Sequence, residues 1–152
     1  MKIYCDTSVI VGLRVPKDSL HAAAVTWQAK HQMDCPLWNA FLHLEVFNAI
    51  RQLARAKLWT EGEARQTLSN IKRDLHAYFD FFEPDWRDVY SQAHRLVAEY
   101  GFDLTIGGSD LLHVALALES SAELFVTGDE DQAALAREAG LKTVHLKQPS
   151  SK

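Results

Sequence analysis

The sequence is short of sulfur, of excess positive charge and of long apolar runs. Two cysteines, Cys5 and Cys35, in 152 residues are too few for a disulfide framework. Both lie in strand-like apolar contexts and read as reduced core thiols. No apolar stretch reaches the roughly 18 residues of a membrane-spanning helix. The start, Met1-Lys2 followed at once by a strand-like run, lacks the apolar region and small-residue cleavage site of a secretory leader. The expectation is a cytoplasmic protein. Sixteen Lys and Arg against twenty Asp and Glu leave a formal charge of −4. That excludes a general basic footprint, so any nucleic-acid contact must come from a local patch. Internal repeats, low-complexity runs and interdomain linkers are absent too. Hydrophobic residues at 47% and charged residues at 24% exclude extended disorder, and the length suits one domain with a real core. We expect that domain to span residues 1–147, followed by a polar tail over 148–152.

What is present is an alternation of short apolar runs and amphipathic stretches. Lys2 to Cys5 predicts a buried strand, ended by Asp6-Thr7-Ser8 and followed by a helix that Asp6 or Ser8 can cap. Asp18 to Lys30 predicts a helix capped by Asp18 or Ser19, and Cys35 to Trp38 a second strand. Asn39 opens a strongly periodic helix to about Ala56, with Phe41, Leu42, Leu44, Glu45, Phe47, Asn48, Ile50 and Leu53 on its buried face. Thr60-Glu61-Gly62-Glu63 starts the next helix as a capping box, with Leu68, Ile71, Leu75 and Tyr78 inward. Phe79 to Pro84 predicts a third strand. Asp85 caps a helix to Gly101 that buries Val89, Tyr90, Ala93, Leu96 and Val97. Phe102 to Gly108 is a loop, and Ser109 begins a helix apolar nearly all round. Glu123 to Thr127, a helix over 132–139 closed by Gly140, and Thr143 to Leu146 complete the chain. Strands alternating with helices predict a three-layer α/β/α fold around a central, mainly parallel sheet.

Four carboxylates stand out. Asp6 ends the first strand, Glu45 interrupts an apolar helix face, Asp110 opens the small-residue helix, and Asp129 follows the fourth strand. Singly, each has an ordinary reading as a cap, a turn residue or a helix-edge acid. Together they place acids where burial is costly unless a cation joins them, and no Lys or Arg is near in sequence to pair with Glu45 or Asp110. Oxygen donors without a Cys or His cluster suit Mg²⁺ or Mn²⁺ better than Zn²⁺. His113, three residues after Asp110, reads as a buried histidine that hydrogen-bonds nearby.

Four segments carry a family resemblance: Tyr4-Cys5-Asp6-Thr7-Ser8, Leu44-Glu45-Val46-Phe47-Asn48-Ala49, Ser109-Asp110-Leu111-Leu112-His113-Val114-Ala115, and Phe125-Val126-Thr127-Gly128-Asp129-Glu130-Asp131. In this order and spacing the chain resembles PIN-domain ribonucleases, and among them the VapC-type toxins of toxin–antitoxin pairs. The resemblance implies an acidic pocket at the strand ends and Mg²⁺- or Mn²⁺-dependent endoribonuclease activity leaving a 5′-phosphate and a 3′-hydroxyl. It matches Asp6, Glu45, Asp110 and Asp129 to the acidic quartet. Asp6, Asp110 and Asp129 are the expected metal ligands, with Glu45 completing the site or activating water. Ser8 and Thr127 match hydroxyl positions near the metal, and Asp131 is either an added supporting acid or the turn's own cap. The sequence departs from the family at Leu42, where relatives often carry a small polar residue, and before Asp110, where many carry a basic one.

RNA needs cations near such a pocket. Arg14 and Lys17 are the first candidates. Arg51 and Arg55 form a second strip, although Arg55 and Lys57 also read as solvated surface charges. A toxin implies an antitoxin partner and a homodimer, with the helices over 41–56 and 60–78 offering a groove and a dimer face. The alternative is a non-catalytic PIN module that binds protein or RNA. A phosphatase of the haloacid dehalogenase type needs a second acid where Ser8 stands, and a phosphoacceptor receiver needs its Asp in mid-chain.

Overall fold

The computed structural model describes residues 1–31 and 34–148. Residues 149–152, most of the expected polar tail, lie outside that range. Twelve elements follow in order: β1 (Ile3–Cys5), α1 (Thr7–Arg14), α2 (His21–Ala29), β2 (Leu37–Trp38), α3 (Ala40–Arg55), α4 (Glu61–Tyr78), β3 (Asp80–Phe81), α5 (Trp86–Tyr100), α6 (Gly108–Glu119), β4 (Leu124–Thr127), α7 (Glu130–Glu138) and β5 (Thr143–His145). Every strand pair is parallel. Tyr4 lies opposite Phe125, Val126 opposite Val144, and Trp38 opposite Phe81. A single parallel bridge from Ile3 to Pro36 joins β2 to β1. The strand order is therefore β3-β2-β1-β4-β5.

That order fixes the layers. The chain steps one way from β1 to β2 to β3, then crosses back to β4 and β5 on the other side of β1. Right-handed crossovers put helices on opposite faces when the step direction reverses. Helices α1 to α4 cover one face and α5 to α7 the other, in agreement with the packing of α1 on α2 and α3, and of α6 on α5 and α7. The reversal falls at β1, and the crevice beyond the carboxyl end of that strand is where open α/β sheets bind ligands. Asp6 is the next residue.

Local chemistry explains most boundaries. Asp6, Asn39, Thr60, Asp85 and Asp129 each accept a backbone N–H in the first turn of the helix that follows, the pattern expected of N-caps. Thr60 and Glu63 complete the capping box. Helix α2 begins at His21, three residues later than the periodicity suggests, because Asp18 Oδ1 accepts from Leu20 N at 2.8 Å and holds a turn there. Helix α6 begins at Gly108, with Asp110 reaching back to Gly107 N.

The core is filled by residues such as Ile3, Tyr4, Ile10, Trp38, Leu42, Ile50, Ile71, Leu96 and Phe125, all within 1% of complete burial. Five residues expected inward point outward, Asn48 among them. Leu44 is 66% exposed, Tyr78 57%, Tyr90 52% and Val97 46%. Leu44 lies across the helix from the Leu42–Val46–Ile50 stripe, Tyr78 is the last residue of α4, and Tyr90 and Val97 sit at the edge of the α5 stripe. Cys5 is buried as expected, whereas Cys35, just ahead of the point where β2 meets β1, is exposed. No helix among the described residues is long and apolar enough to cross a membrane.

The contrast between Ile10 and Leu44 is testable. Ile10→Ala should cost about 2–5 kcal/mol through lost burial and a residual cavity. Leu44→Ala should stay within about 0.5 kcal/mol. Urea unfolding midpoints at constant slope read both.

Candidate active site

The parallel register of β1 and β4 sets Cys5 opposite Val126, and Asp6 N donates to Val126 O at 3.0 Å. Asp6 therefore leaves the sheet beside Thr127. Its side chain is buried and accepts three hydrogen bonds: Ser8 Oγ at 2.7 Å and Val9 N at 3.0 Å to Oδ1, and Thr127 Oγ1 at 2.7 Å to Oδ2. Both hydroxyls also accept. Ser8 Oγ takes Gly128 N at 3.0 Å, and Thr127 Oγ1 takes Asp129 N at 2.9 Å. A lattice of two hydroxyls and one carboxylate thus locks the ends of β1 and β4 together. An added Cβ at Gly128 would stand 2.5 Å from Leu20 Cδ2 and 3.0 Å from Ser8 Oγ, so the Leu20 side chain would have to shift to admit one. Asp6 is both a helix cap and a member of the site.

Glu45 reaches the same place from α3. Its Oε2 accepts from Thr7 Oγ1 at 2.7 Å and from His113 Nε2 at 2.6 Å. A carboxylate only accepts, so Nε2 carries a proton. The opposite ring nitrogen, Nδ1, lies 3.0 Å from the Tyr4 hydroxyl. The buried ring of His113 therefore ties Glu45 to a core tyrosine on β1. The hydrogen bond from His113, with help from Thr7, holds the Glu45 carboxyl below its ordinary value despite partial burial. Burial pushes the Tyr4 hydroxyl well up, so it stays protonated. No Lys or Arg near in sequence pairs with Glu45; its hydrogen-bond partner is His113, 68 residues away.

Asp110 and Asp129 close the other side. Gln132 connects them, donating its backbone N–H to Asp129 Oδ1 at 2.7 Å and Nε2 to Asp110 Oδ1 at 3.0 Å. The Gln132 side chain is almost fully buried, and its Oε1 has no protein partner among the described residues. Asp6, Glu45, Asp110 and Asp129 line one cavity of about 630 Å³, together with Asp18, Ser8, His113 and Gln148. Among the described residues, no Lys or Arg lines it. Burial raises the Asp6 carboxyl above its ordinary value, opposed by His113 and by the Ser8 and Thr127 hydrogen bonds. Burial also raises Asp110, with the charge of Asp129 adding to the effect and Gly107 N–H opposing it.

This donor set fits a hard divalent cation. It offers carboxylate and hydroxyl oxygens, no cysteine, and a histidine already engaged on both nitrogens. Among the described residues, no group of three His, Cys, Asp or Glu side chains stands converged for direct ligation.

The structure does not bring every candidate to the cavity. Arg14 Nη1 pairs with Asp74 Oδ2 at 2.9 Å, and Lys17 Nζ lies 3.8 Å from Glu63 Oε1. Arg51 lines a different cleft, toward α4. Asp131 is exposed in the first turn of α7, outside the cavity lining. Three contributors went unassigned in the sequence reading. Thr7 was hidden inside a motif, and Asp18 was read only as a cap. Gln132, three residues after Asp129, carried a usable signal, because a Gln at that spacing from a capping Asp marks a helix start whose amide lies close to the cap.

Comparisons with known proteins bear on the fold and the family. The structure superposes on VapBC2 from Rickettsia felis, crystallised with a DNA fragment from its promoter, with a TM-score of 0.67 at 16% identity, covering 95% of this chain and 98% of that one. It superposes on FitAcB from Neisseria gonorrhoeae with a TM-score of 0.64 at 17% identity, covering 94% and 96%. For PAE2754 from Pyrobaculum aerophilum the TM-score is 0.56 at 18% identity, covering 95% and 91%. These likenesses concern the fold. No curated protein matches the sequence. The sequence itself matches the PIN domain over residues 3–138, nearly its whole length, and the chain belongs to the PIN-domain family.

Proposed function

We propose that this PIN domain is a Mg²⁺- or Mn²⁺-dependent endoribonuclease of VapC type, acting as the toxin of a toxin–antitoxin pair. The observation that carries the reading is the cavity itself: five carboxylates and, among the described residues, no Lys or Arg around one space, with Asp6 and Asp110 made harder to ionise by burial. Such a site is stabilised by a bound cation. Its fold likeness to VapBC2 and FitAcB supports the VapC resemblance.

The metal, when bound, lowers the pKa of a water and offsets charge on the phosphate under attack. Asp6, Asp110 and Asp129 would hold it, directly or through water. Ser8 and Thr127 keep the Asp6 carboxylate in one orientation, and Gln132 does the same for Asp110 and Asp129. Both hydrogen bonds to Glu45 fall on Oε2, which leaves Oε1 to take a proton from the attacking water. Hydrolysis on this pattern leaves a 5′-phosphate and a 3′-hydroxyl. An antitoxin inhibits by placing a basic side chain among the acids, supplying the cation the cavity lacks. The active form is a homodimer in the cytoplasm.

Asp6→Asn tests the assignment. Asparagine is as good a helix cap as aspartate, so the fold should persist. Cleavage of RNA in Mg²⁺ or Mn²⁺ should fall about 10²- to 10³-fold, the equivalent of several kcal/mol of lost metal assistance. A variant that cuts at the wild-type rate would falsify the reading, and a wild type that binds RNA but never cuts it would favour the non-catalytic module. Stability supplies a second readout. Because the Asp6 value is raised on folding, native protein binds a proton that the unfolded chain has released. Wild-type stability therefore declines as pH rises from the ordinary aspartate range through the native value. The Asn variant lacks that decline, so its advantage should grow across the same window in pH-resolved unfolding.

His113→Ala should leave the Tyr4 hydroxyl without a partner and cost about 1–3 kcal/mol. The Glu45 carboxyl should move up toward its ordinary range, read by carbon-13 NMR titration. A depressed carboxyl contributes stability above its unfolded value and loses it as pH falls through the native one, so the variant should show a smaller acid-side loss. An unmoved Glu45 titration would mean that His113 does not hold it.

A further inference from the structure

On the far face of α3 lies a second cleft, and its charge is the reverse of the first. Glu45, Ala49, Gln52, Leu53 and Ala56 line the acidic cavity, whereas Arg51, Ala54 and Arg55 turn toward α4. At 3.6 residues per turn these two sets fall on nearly opposite sides of one helix. Across from Arg51 and Arg55, α4 contributes Arg65 and Lys72 over an apolar floor that includes Leu68. The cleft measures about 600 Å³ and holds one carboxylate, Glu61, which is paired with Arg65. Arg51, Arg55 and Lys72 have no carboxylate within ion-pairing distance among the described residues. Lys72 Nζ instead sits 5.7 Å from the centre of the Phe47 ring. In a chain with a net charge of −4, unpaired cations collected in one place are unexpected unless an anion comes to them. The same field reaches His43, whose imidazole is held below its ordinary value first by burial and then by Lys72 and Arg51.

We infer that the cleft between α3 and α4 holds the phosphate backbone of the RNA strand flanking the cleavage point. The inference rests on the ribonuclease reading above. A cavity whose lining holds five carboxylates and, among the described residues, no Lys or Arg repels phosphates, so the strand must be held by cations outside it. Arg14 and Lys17, nearest in sequence to the site, are engaged with Asp74 and Glu63. The cleft offers free cations about one helix diameter, ~10 Å, from Glu45, which puts it beside the next few nucleotides. Guanidinium forks at Arg51 and Arg55 suit phosphate oxygens. The apolar floor leaves room for a base to lie against it.

The test compares a labelled oligouridylate of about a dozen nucleotides with a uridine trinucleotide, both bound without metal in EDTA so that cleavage plays no part. Wild type should prefer the longer strand. The triple variant Arg51→Gln, Arg55→Gln, Lys72→Gln changes only exposed side chains. It should bind the longer strand on the order of tenfold more weakly, with the log–log salt slope reduced by about 2, or ~0.7 per charge. Its preference for length should disappear. Arg87→Gln with Arg95→Gln, an exposed pair on α5 away from the cleft, should leave both affinities in place. Equal binding by wild type and the triple variant overturns the inference, as does a wild type with no preference for length. It is also overturned if polyglutamate displaces the RNA from wild type but not from the triple variant while the RNA affinity of that variant is unchanged, which would assign the cleft to an acidic protein segment. A wild type that binds through the cleft but never cuts RNA in Mg²⁺ or Mn²⁺ leaves the cleft standing and removes the nuclease reading instead.

Discussion

The site depends on one buried carboxylate placed where two parallel strands end. Asp6 could not be buried there without donors, and the fold supplies three of them: Ser8, the backbone of Val9, and Thr127. The three donors come from two structural decisions. Ser8 and Val9 follow from starting a helix directly after β1, whereas Thr127 follows from placing β4 next to β1 in the observed register. The carboxylate satisfies a helix end and cross-links two strands while remaining at the wall of the cavity. Removing any one of these features would leave either an unsatisfied cap or an unpaired buried charge, both costly.

The two charged clefts on α3 extend the same logic. The helix divides a carboxylate-rich cavity from a mostly basic one, so a single rigid element sets the distance between the place where a cation is wanted and the place where an anion is wanted. The burial of Val46 and Ile50 on this helix fixes its rotation. With the rotation fixed, Glu45 and Arg51 cannot exchange sides.

Much of this was legible in the residues. The first strand, the helix starts at Asn39, Thr60 and Asp85, and the acids at 6, 45, 110 and 129 all rest on local signals: an apolar run, a cap, or an acid in an apolar setting. The features that escaped are those made by distant residues. His113 meets Glu45 across 68 positions, and neither residue carries a local sign of the other. The basic cleft draws on two helices: Arg51 and Arg55 were legible as a strip on one, but Arg65 and Lys72 look like ordinary surface charge on the other. Leu44 misled because an apolar residue at a helix edge has the same identity as one in the stripe. Only the rotation of the packed helix separates them.

The sheet also constrains how other molecules can approach. Its edge strands are β3, with two residues, and β5, with three. Pro84 follows closely after β3 and removes a donor there. A visiting strand would find almost no backbone ladder to extend, so association by strand addition is closed off at both margins. A protein partner, whether an inhibitor or a second copy, is left with helix surfaces and clefts as its means of attachment. Selection for or against partners must therefore be written in exposed side chains such as Leu44 and Tyr90, where single substitutions can change the choice without disturbing the core.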